Sequence, residues 1–216
     1  MSQGLIDKLH ESGCIRLLSE EGVAWTGEMA ECLLGFVELV KEWNAFASLV
    51  SKKDIGVLAE RHVGDALSLI GLVVRECGEE GTLLDIGSGG GFPAIPIKVV
   101  VPGIRVCLVE RNGRKVGFLR KVVGALGLRD MEVVQGEFPG GLGEERPDVI
   151  TARAVERPEK VFRGILAFMP PGCAFLCQSP VSLENLGKEF HVELVHDAWH
   201  EHGLRRGALR VVSRMI

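Results

Sequence analysis

A carboxylate followed by three alternating glycines is the strongest chemical signal in this sequence. Asp85 ends an apolar run and is followed by Gly87, Gly89 and Gly91, after which a helix-compatible stretch carries two prolines in its first turn. A strand, a glycine loop and a helix start are how a doubly wound α/β domain brings a ligand close to bare backbone. A carboxylate at this position can bind an ammonium group of that ligand.

The spacing of the glycines distinguishes between ligand classes. The dinucleotide pattern G-x-G-x-x-G would need its third glycine where Phe92 stands, and no Gly-Lys pair completes a phosphate loop. The pattern acid-x-G-x-G-x-G instead resembles the first motif of the class I S-adenosylmethionine-dependent methyltransferases, which implies S-adenosylmethionine as the cofactor. A glycine-rich turn of an unrelated α/β protein is the alternative.

A second acidic residue supports a nucleoside ligand. Glu110 ends the next apolar stretch, 103–109, about 20 residues beyond the glycine loop. An acid at the tip of that strand can accept hydrogen bonds from ribose hydroxyls in methyltransferases and dehydrogenases alike. The alternative is an exposed charge at a strand end.

Alternating elements are needed to position these residues. Strands are predicted at 82–84, 103–109, 131–134, 147–151, 173–178, 192–199 and 208–215, and helices at 113–125, 158–168 and 183–190. Earlier helices are predicted at 29–43, 55–60 and 60–77, the first capped by Thr26 and the second by a capping box at Ser51. The fold class predicted is α/β, a Rossmann-like class I methyltransferase sheet of seven strands, mostly parallel with an antiparallel last strand. Residues 1–80 would form an N-terminal helical cap and residues 81–216 the methyltransferase domain.

Composition narrows the cellular setting. The chain has 216 residues, of which 46% are hydrophobic and 25% charged, as expected for one compact domain with an appendage. No apolar run approaches the ~18 residues of a membrane span, and the polar N-terminus predicts no signal peptide. The six cysteines lie mostly in apolar runs without C-x-x-C pairs, which favours reduced core positions over disulfides or a metal site. The expectation is a cytoplasmic monomer with no membrane partner.

Basic residues are clustered although the net charge is −4. Groups of them begin near Arg111 and near Arg153, each at a predicted strand tip on the cofactor side. A solvated surface is the ordinary explanation for such a group. A polyanionic substrate would nevertheless have to approach from this side.

The type of methyl acceptor can be narrowed by what is missing. A cysteine nucleophile for pyrimidine carbon 5 would need a Pro-Cys or Thr-Cys setting, and the chain has neither. The Asn/Asp-Pro-Pro-aromatic motif typical of amine methylation does not follow the fourth strand, where the chain has Thr-Ala-Arg-Ala from Thr151. A ring nitrogen such as guanine N7 has a lone pair and no proton to lose, so it needs only positioning and electrostatic help.

Five stretches together resemble the RsmG (GidB) family, bacterial enzymes that methylate N7 of a guanine in small-subunit ribosomal RNA. They are residues 41–44 (Lys-Glu-Trp-Asn), 61–67 (Arg-His-Val-Gly-Asp-Ala-Leu), 85–96, 115–120 and 151–154. The resemblance implies an rRNA (guanine-N7-)-methyltransferase whose partner is 16S ribosomal RNA or the small ribosomal subunit. It implies a cofactor site formed by Asp85, Gly87, Ser88, Gly89, Gly91, Phe92, Glu110, Gly136, Glu137 and Arg153. RNA contacts are expected from Arg111, Arg114, Lys115 and Arg157, with no catalytic acid or base and no metal.

Several of these roles have structural alternatives. Phe92 could serve helix–sheet packing, and Arg153 could form a surface salt bridge rather than contact the cofactor or the guanine. His62 and Asp65, three apart on a predicted helix, are expected to pair and hold the cap onto the sheet rather than to contact RNA. The loop after the third strand is shorter than is usual in the family, which leaves Gly136 and Glu137 as the adenine contacts.

Two other functions fit the sequence. One is a methyltransferase acting on a small molecule or a protein, which would not depend on the basic residues near Arg114 and Arg153. The other is a cofactor-binding ribosome-assembly factor without catalysis. A nicotinamide-dependent reductase is disfavoured by Phe92.

Overall fold

One twisted sheet of seven strands organises the molecule. The computed structural model describes residues 3–142, 146–153, 155, 157–178 and 187–215. The strands are β1 (Thr82–Ile86), β2 (Arg105–Glu110), β3 (Met131–Gln135), β4 (Val149–Arg153), β5 (Ala174–Gln178), β6 (Phe190–Leu194) and β7 (Arg210–Arg214). Their spatial order is β3-β2-β1-β4-β5-β7-β6. Strands β1 to β5 run parallel and β7 is antiparallel to both of its neighbours, which confirms the predicted fold class.

Helices cover the sheet on both faces. They are α1 (Gln3–Glu11), α2 (Cys14–Glu20), α3 (Gly27–Ala47), α4 (Asp65–Leu67), α5 (Ile70–Cys77), α6 (Ala94–Val100), α7 (Gly113–Ala125), α8 (Pro158–Phe168) and α9 (Ala198–Glu201). The side chain of Thr26 accepts a hydrogen bond from the backbone N–H of Met29 and caps α3, as predicted. None of the helices in the described part of the chain is both long and apolar enough to cross a membrane.

The N-terminal helices share a hydrophobic core with one face of the sheet. Leu9 of α1 and Phe36 of α3 belong to the same buried cluster as Leu83 and Leu108. The next residues along the same two strands, Leu84 and Val109, face the opposite side, where a second cluster includes Phe162 and Ile165 of α8. Side chains that alternate between faces explain why these strands are apolar throughout. The division into residues 1–80 and 81–216 remains a prediction.

The single helix predicted over residues 60–77 is wrong. A π-helical turn (Ala59–Gly64) is followed by the short α4, and α5 begins only at Ile70. The Ser68 hydroxyl donates to the carbonyl of Asp65 (2.7 Å), while the Ser68 carbonyl accepts from Nη2 of Arg205 (2.7 Å). These bonds take up polar groups that a continuous helix would use.

The predicted capping box at Ser51 is also wrong. The Ser51 hydroxyl donates to Oδ2 of Asp54 (2.7 Å) instead of accepting a backbone N–H, and the segment that follows is a 3-10 helix (Lys52–Val57). The Ser51 hydroxyl donates to this carboxylate, and the turn closes through the backbone bond from Asp54 N–H to the Ser51 carbonyl (2.9 Å).

The C-terminal segment differs from the predicted strand at 192–199. Strand β6 ends at Leu194, and Asp197 then caps α9 by accepting the backbone N–H of His200 (3.1 Å). Trp199 is buried and donates to Oε1 of Glu21 (2.7 Å), which fixes α9 against the N-terminal helices. The predicted helix at 183–190 lies outside the described residues except at its end, where Phe190 already begins β6.

Candidate functional site

The glycine loop forms a tight turn directly after β1. Gly87, Gly89 and Gly91 have φ angles of 71°, 53° and 82°, which residues other than glycine rarely adopt. A Cβ at Gly87 would also lie 2.8 Å from Cγ1 of Val155. The backbone N–H of Gly87 donates to the carbonyl of Val109 (2.8 Å), which ties the loop to β2. Because glycine has no side chain, a ligand can approach the loop backbone closely.

Asp85 lies beneath this loop with one oxygen unpartnered. Its side chain is almost completely buried, at 1% exposure, and Oδ1 accepts the Thr151 hydroxyl at 2.7 Å. The other oxygen, Oδ2, is buried and has no hydrogen-bond partner among the described residues. Burial raises the pKa of the Asp85 carboxyl to about 6, against the lowering effect of its hydrogen bonds. A buried carboxylate with a free oxygen is suited to a cationic partner.

Glu110 is held rigidly at the end of β2. Its Oε2 accepts the backbone N–H of Gly89 (2.9 Å), and its Oε1 accepts the backbone N–H of Asn112 (2.8 Å). The first bond links the carboxylate to the glycine loop, and the second links it to the residue that caps α7. Each oxygen keeps a lone pair for a ligand hydroxyl.

A cavity of about 310 Å³ opens at the carboxyl ends of the central strands. That end of a parallel sheet, where the strand order reverses, is the usual ligand position in doubly wound folds. Seven of the predicted residues line this cavity: Gly87, Glu110, Arg111, Lys115, Gly136, Glu137 and Arg157. Asp85, Ser88, Gly89, Gly91, Phe92, Arg114 and Arg153 do not line it.

The cavity wall also contains residues that the sequence motifs do not indicate. Phe138 and Pro139 follow directly after Glu137, and Lys160, Val161 and Gly164 form one face of α8. Lys160 donates to Oε1 of Glu137 (3.0 Å), which lowers the pKa of that carboxyl. The spacing of 160, 161 and 164 after Arg157 was the available signal, because these positions share one helix face.

Phe92 and Arg153 lie away from the cavity, between the sheet and the N-terminal helices. The Phe92 ring packs against Phe36 of α3 and His62, at centroid distances of 4.8 and 5.1 Å. The guanidinium carbon of Arg153 lies 5.6 Å from the centre of the Phe92 ring. These contacts correspond to the packing role that was the structural alternative for Phe92. That Phe92 and Arg153 contact the cofactor remains a prediction.

The predicted pair of His62 with Asp65 is wrong, because Arg153 contacts both of them. Nη1 of Arg153 donates to Oδ2 of Asp65 (2.5 Å), and Nη2 lies 3.0 Å from Nδ1 of His62. Asp65 Oδ1 also accepts from the side chain of Gln178 and the backbone of Arg206. Burial and the Arg153 charge lower the pKa of His62, so a neutral imidazole faces the guanidinium. Residues 62–65 are therefore held against the sheet, as expected, but through Arg153 of β4.

The basic residues surround the cavity. Arg111, Lys115 and Arg157 line it, and Arg114 lies one residue before Lys115 in the first turn of α7. The Arg114 guanidinium carbon lies 5.2 Å from the centre of the Phe46 ring. The site therefore combines buried carboxylates beside the glycine loop with a positively charged wall.

Comparison with known proteins gives one consistent result. A family model described as "rRNA small subunit methyltransferase G" (GidB) matches residues 29–196. Ribosomal RNA small subunit methyltransferase G of Stenotrophomonas maltophilia is 32% identical over 165 residues, which cover 75% of this chain and 76% of that protein. The protein of the same name from Halorhodospira halophila is 35% identical over 146 residues, which cover 68% of this chain and 67% of that protein.

Solved structures share the fold at low identity. A point mutant of MtNAS in complex with S-adenosylmethionine has a TM-score of 0.59 at 18% identity and covers 100% of this chain and 92% of that one. A putative rRNA methylase from Clostridium thermocellum has a TM-score of 0.54 at 11% identity and covers 70% of this chain and 96% of that one. At these identities the likeness concerns architecture alone.

Proposed function

The chain belongs to the GidB family, described as rRNA small subunit methyltransferase G, and from that membership we propose that it transfers a methyl group from S-adenosylmethionine to N7 of a guanine in 16S ribosomal RNA. We propose that it works as a cytoplasmic monomer, on the RNA itself or on the small ribosomal subunit. The observation that carries the proposal is a buried, unpartnered carboxylate oxygen beneath a bare glycine loop, beside a cavity with a basic wall.

The described residues fit S-adenosylmethionine. Asp85 Oδ2 would accept the ammonium group of the methionine part, since an acceptor without a partner is costly to bury. Glu110 would accept the ribose hydroxyls, because its carboxylate is already fixed by two backbone N–H groups. Gly87 would let the ligand approach the backbone, and Gly136 and Glu137, which line the cavity, would contact the adenine.

The chemistry requires little from the side chains beyond positioning. When bound, S-adenosylmethionine supplies an electrophilic methyl group on a positively charged sulfur. Guanine N7 presents a lone pair and loses no proton, so no general base is needed at the acceptor. Holding the two reactants in line at contact distance can supply ~7–11 kcal/mol of the barrier reduction. The rigid hydrogen bonds of Glu110 and Asp85 serve this role.

The basic wall suits a polyanionic acceptor. Arg111, Lys115 and Arg157 lie beside the proposed cofactor position, where phosphates that flank the target guanine would pass. Each phosphate contact releases counterions, so RNA affinity should fall steeply with salt concentration. A small neutral acceptor would not require this charge.

The test is methyl transfer from labelled S-adenosylmethionine to protein-free 16S RNA and to small subunits, both from cells that lack the modification. Glu110→Gln should reduce the transfer rate, whereas Glu132→Gln, which changes an exposed carboxylate on β3, should leave it unchanged. Label that enters a protein or a small molecule but not RNA would favour the first alternative function. Cofactor binding with no transfer to either RNA substrate would favour the non-catalytic assembly factor.

A further inference from the structure

An exposed aromatic ring lies under an arginine at the end of α3. Phe46 is 57% exposed, although the other large aromatic side chains of this helix are buried or half-buried. Arg114 places its guanidinium carbon 5.2 Å from the centre of the Phe46 ring. Leaving such a ring in water forgoes the free energy that burial would provide, so its position calls for an explanation.

The helix end that carries Phe46 is held firmly. Trp43, one turn earlier, packs its ring against Phe118 of α7 at a centroid distance of 6.2 Å. The same indole meets Phe46 edge-on at 6.0 Å. Phe46 therefore projects from a fixed support, and a rigid aromatic group loses little conformational entropy when a ligand stacks on it.

This end of α3 adjoins the proposed cofactor site. Leu49, three residues after Phe46, packs on the glycine loop so closely that a Cβ at Gly90 would lie 3.3 Å from the Leu49 Cβ. On the other side, Arg114 is followed by Lys115, which lines the cavity. The pair formed by Phe46 and Arg114 thus lies just outside the positively charged cavity wall.

We infer that Phe46 and Arg114 form a stacking platform for an unpaired base of the RNA substrate, next to the guanine that is methylated. The inference rests on the proposed function. A base that enters a methyltransferase site must leave its stack, which leaves a neighbouring base without a partner. Aromatic rings and arginine guanidiniums are the groups on which proteins stack such bases. Among the described residues Arg114 has no carboxylate in salt-bridge contact, so its charge is available to the RNA backbone.

The experiment measures the affinity of an unmodified 16S RNA transcript for the wild-type protein and four variants. Phe46→Leu keeps an apolar side chain but removes the ring, and a lost base stack should weaken binding ~5- to ~150-fold. Phe46→Trp should bind within about twofold of the wild type because it preserves stacking. Leu194→Ala, at a 49% exposed apolar residue on the opposite edge of the sheet, is the matched control and should bind as the wild type does.

Two further readings separate stacking from other effects. The loss in Phe46→Leu should persist at high salt, whereas Arg114→Ala should also reduce the slope of affinity against salt by about one. The affinity for S-adenosylmethionine, measured by calorimetry, should be the same in all variants.

Equal RNA affinity of Phe46→Leu and the wild type would overturn the platform. So would a loss that affects assembled small subunits but spares protein-free RNA, because the ring would then contact a protein. These affinities do not depend on catalysis. Absence of methyl transfer by the wild type to any ribosomal RNA would instead overturn the proposed function.

Discussion

Replacing Asp85 with asparagine removes the one buried carboxylate, among the described residues, whose pKa is raised to about 6. The pKa rises from 3.8 to about 6 because burial disfavours the charged form. Because the folded-state pKa lies above the unfolded value, the protonated folded form is favoured. The stability from this group is therefore present below pH ~4 and is lost as the pH rises through about 6.

The size of the effect follows from the shift. A difference of ~2 pKa units corresponds to ~3 kcal/mol. The free energy of unfolding of the ligand-free wild type, relative to Asp85→Asn, should therefore fall by about 2.5 kcal/mol between pH 4 and pH 7.5. Asparagine keeps an oxygen for the Thr151 hydroxyl, so the comparison isolates the charge.

The affinity for S-adenosylmethionine should depend on pH in the opposite direction, rising as the pH rises. Below pH 6 the Asp85 carboxyl is protonated and cannot pair with the ammonium group, so donor affinity should fall up to ~10-fold for each pH unit. Asp85→Asn should bind S-adenosylmethionine weakly, with no rise in affinity across this range.

Urea unfolding at several pH values measures the first effect, and calorimetric titration with S-adenosylmethionine measures the second. Glu132→Gln serves as the matched control, because it removes an exposed carboxylate on β3. Parallel unfolding profiles for Asp85→Asn and the wild type would refute the reasoning about burial. Donor affinity in Asp85→Asn equal to that of the wild type would refute the role of the free oxygen.

Other substitutions test separate parts of the structure. Glu110→Gln should weaken donor binding ~10-fold or more, because the amide NH₂ cannot accept one of the two backbone N–H bonds, while RNA affinity stays constant; calorimetry with unchanged donor affinity would contradict this. Arg153→Ala should destabilise the protein by ~3 kcal/mol by leaving the buried Asp65 carboxylate without its cation, and a loss below ~1 kcal/mol in urea unfolding would be inconsistent with the contact. Thr26→Ala should cost ~1 kcal/mol by removing the cap bond to Met29, with methyl transfer unaffected; a drop in transfer rate would show that α3 has a further role.

The parts of the fold that depend on local signals could be predicted from the sequence. Helix α7 has the predicted bounds because Asn112 caps its first turn and Gly127 follows its end. Helix α8 begins at Pro158, which is favourable in a first turn, and ends before a Pro-Pro-Gly segment. The positions of the acids at the carboxyl ends of β1 and β2 could also be predicted, because apolar runs mark buried strands.

The parts that depend on distant residues could not be predicted. The interruption at Ser68 is stabilised by Arg205, which lies far along the chain and has no local pattern in common with it. The partner of Asp85 is Thr151 because β1 and β4 pair in that register, which no short motif specifies. The motif at residues 151–154 indicates a functional role for Arg153, but its contact with Asp65 comes from the packing of the N-terminal segment on the sheet.

The most direct test of the central claim is identification of the methylated nucleoside. Unmodified 16S RNA and small subunits, incubated with the wild-type protein and S-adenosylmethionine, would be digested to nucleosides and analysed by mass spectrometry against standards. The proposed function predicts a single new product, 7-methylguanosine, at one position in the RNA. A methyl group on any other atom, or no methylated nucleoside from either substrate, would contradict it.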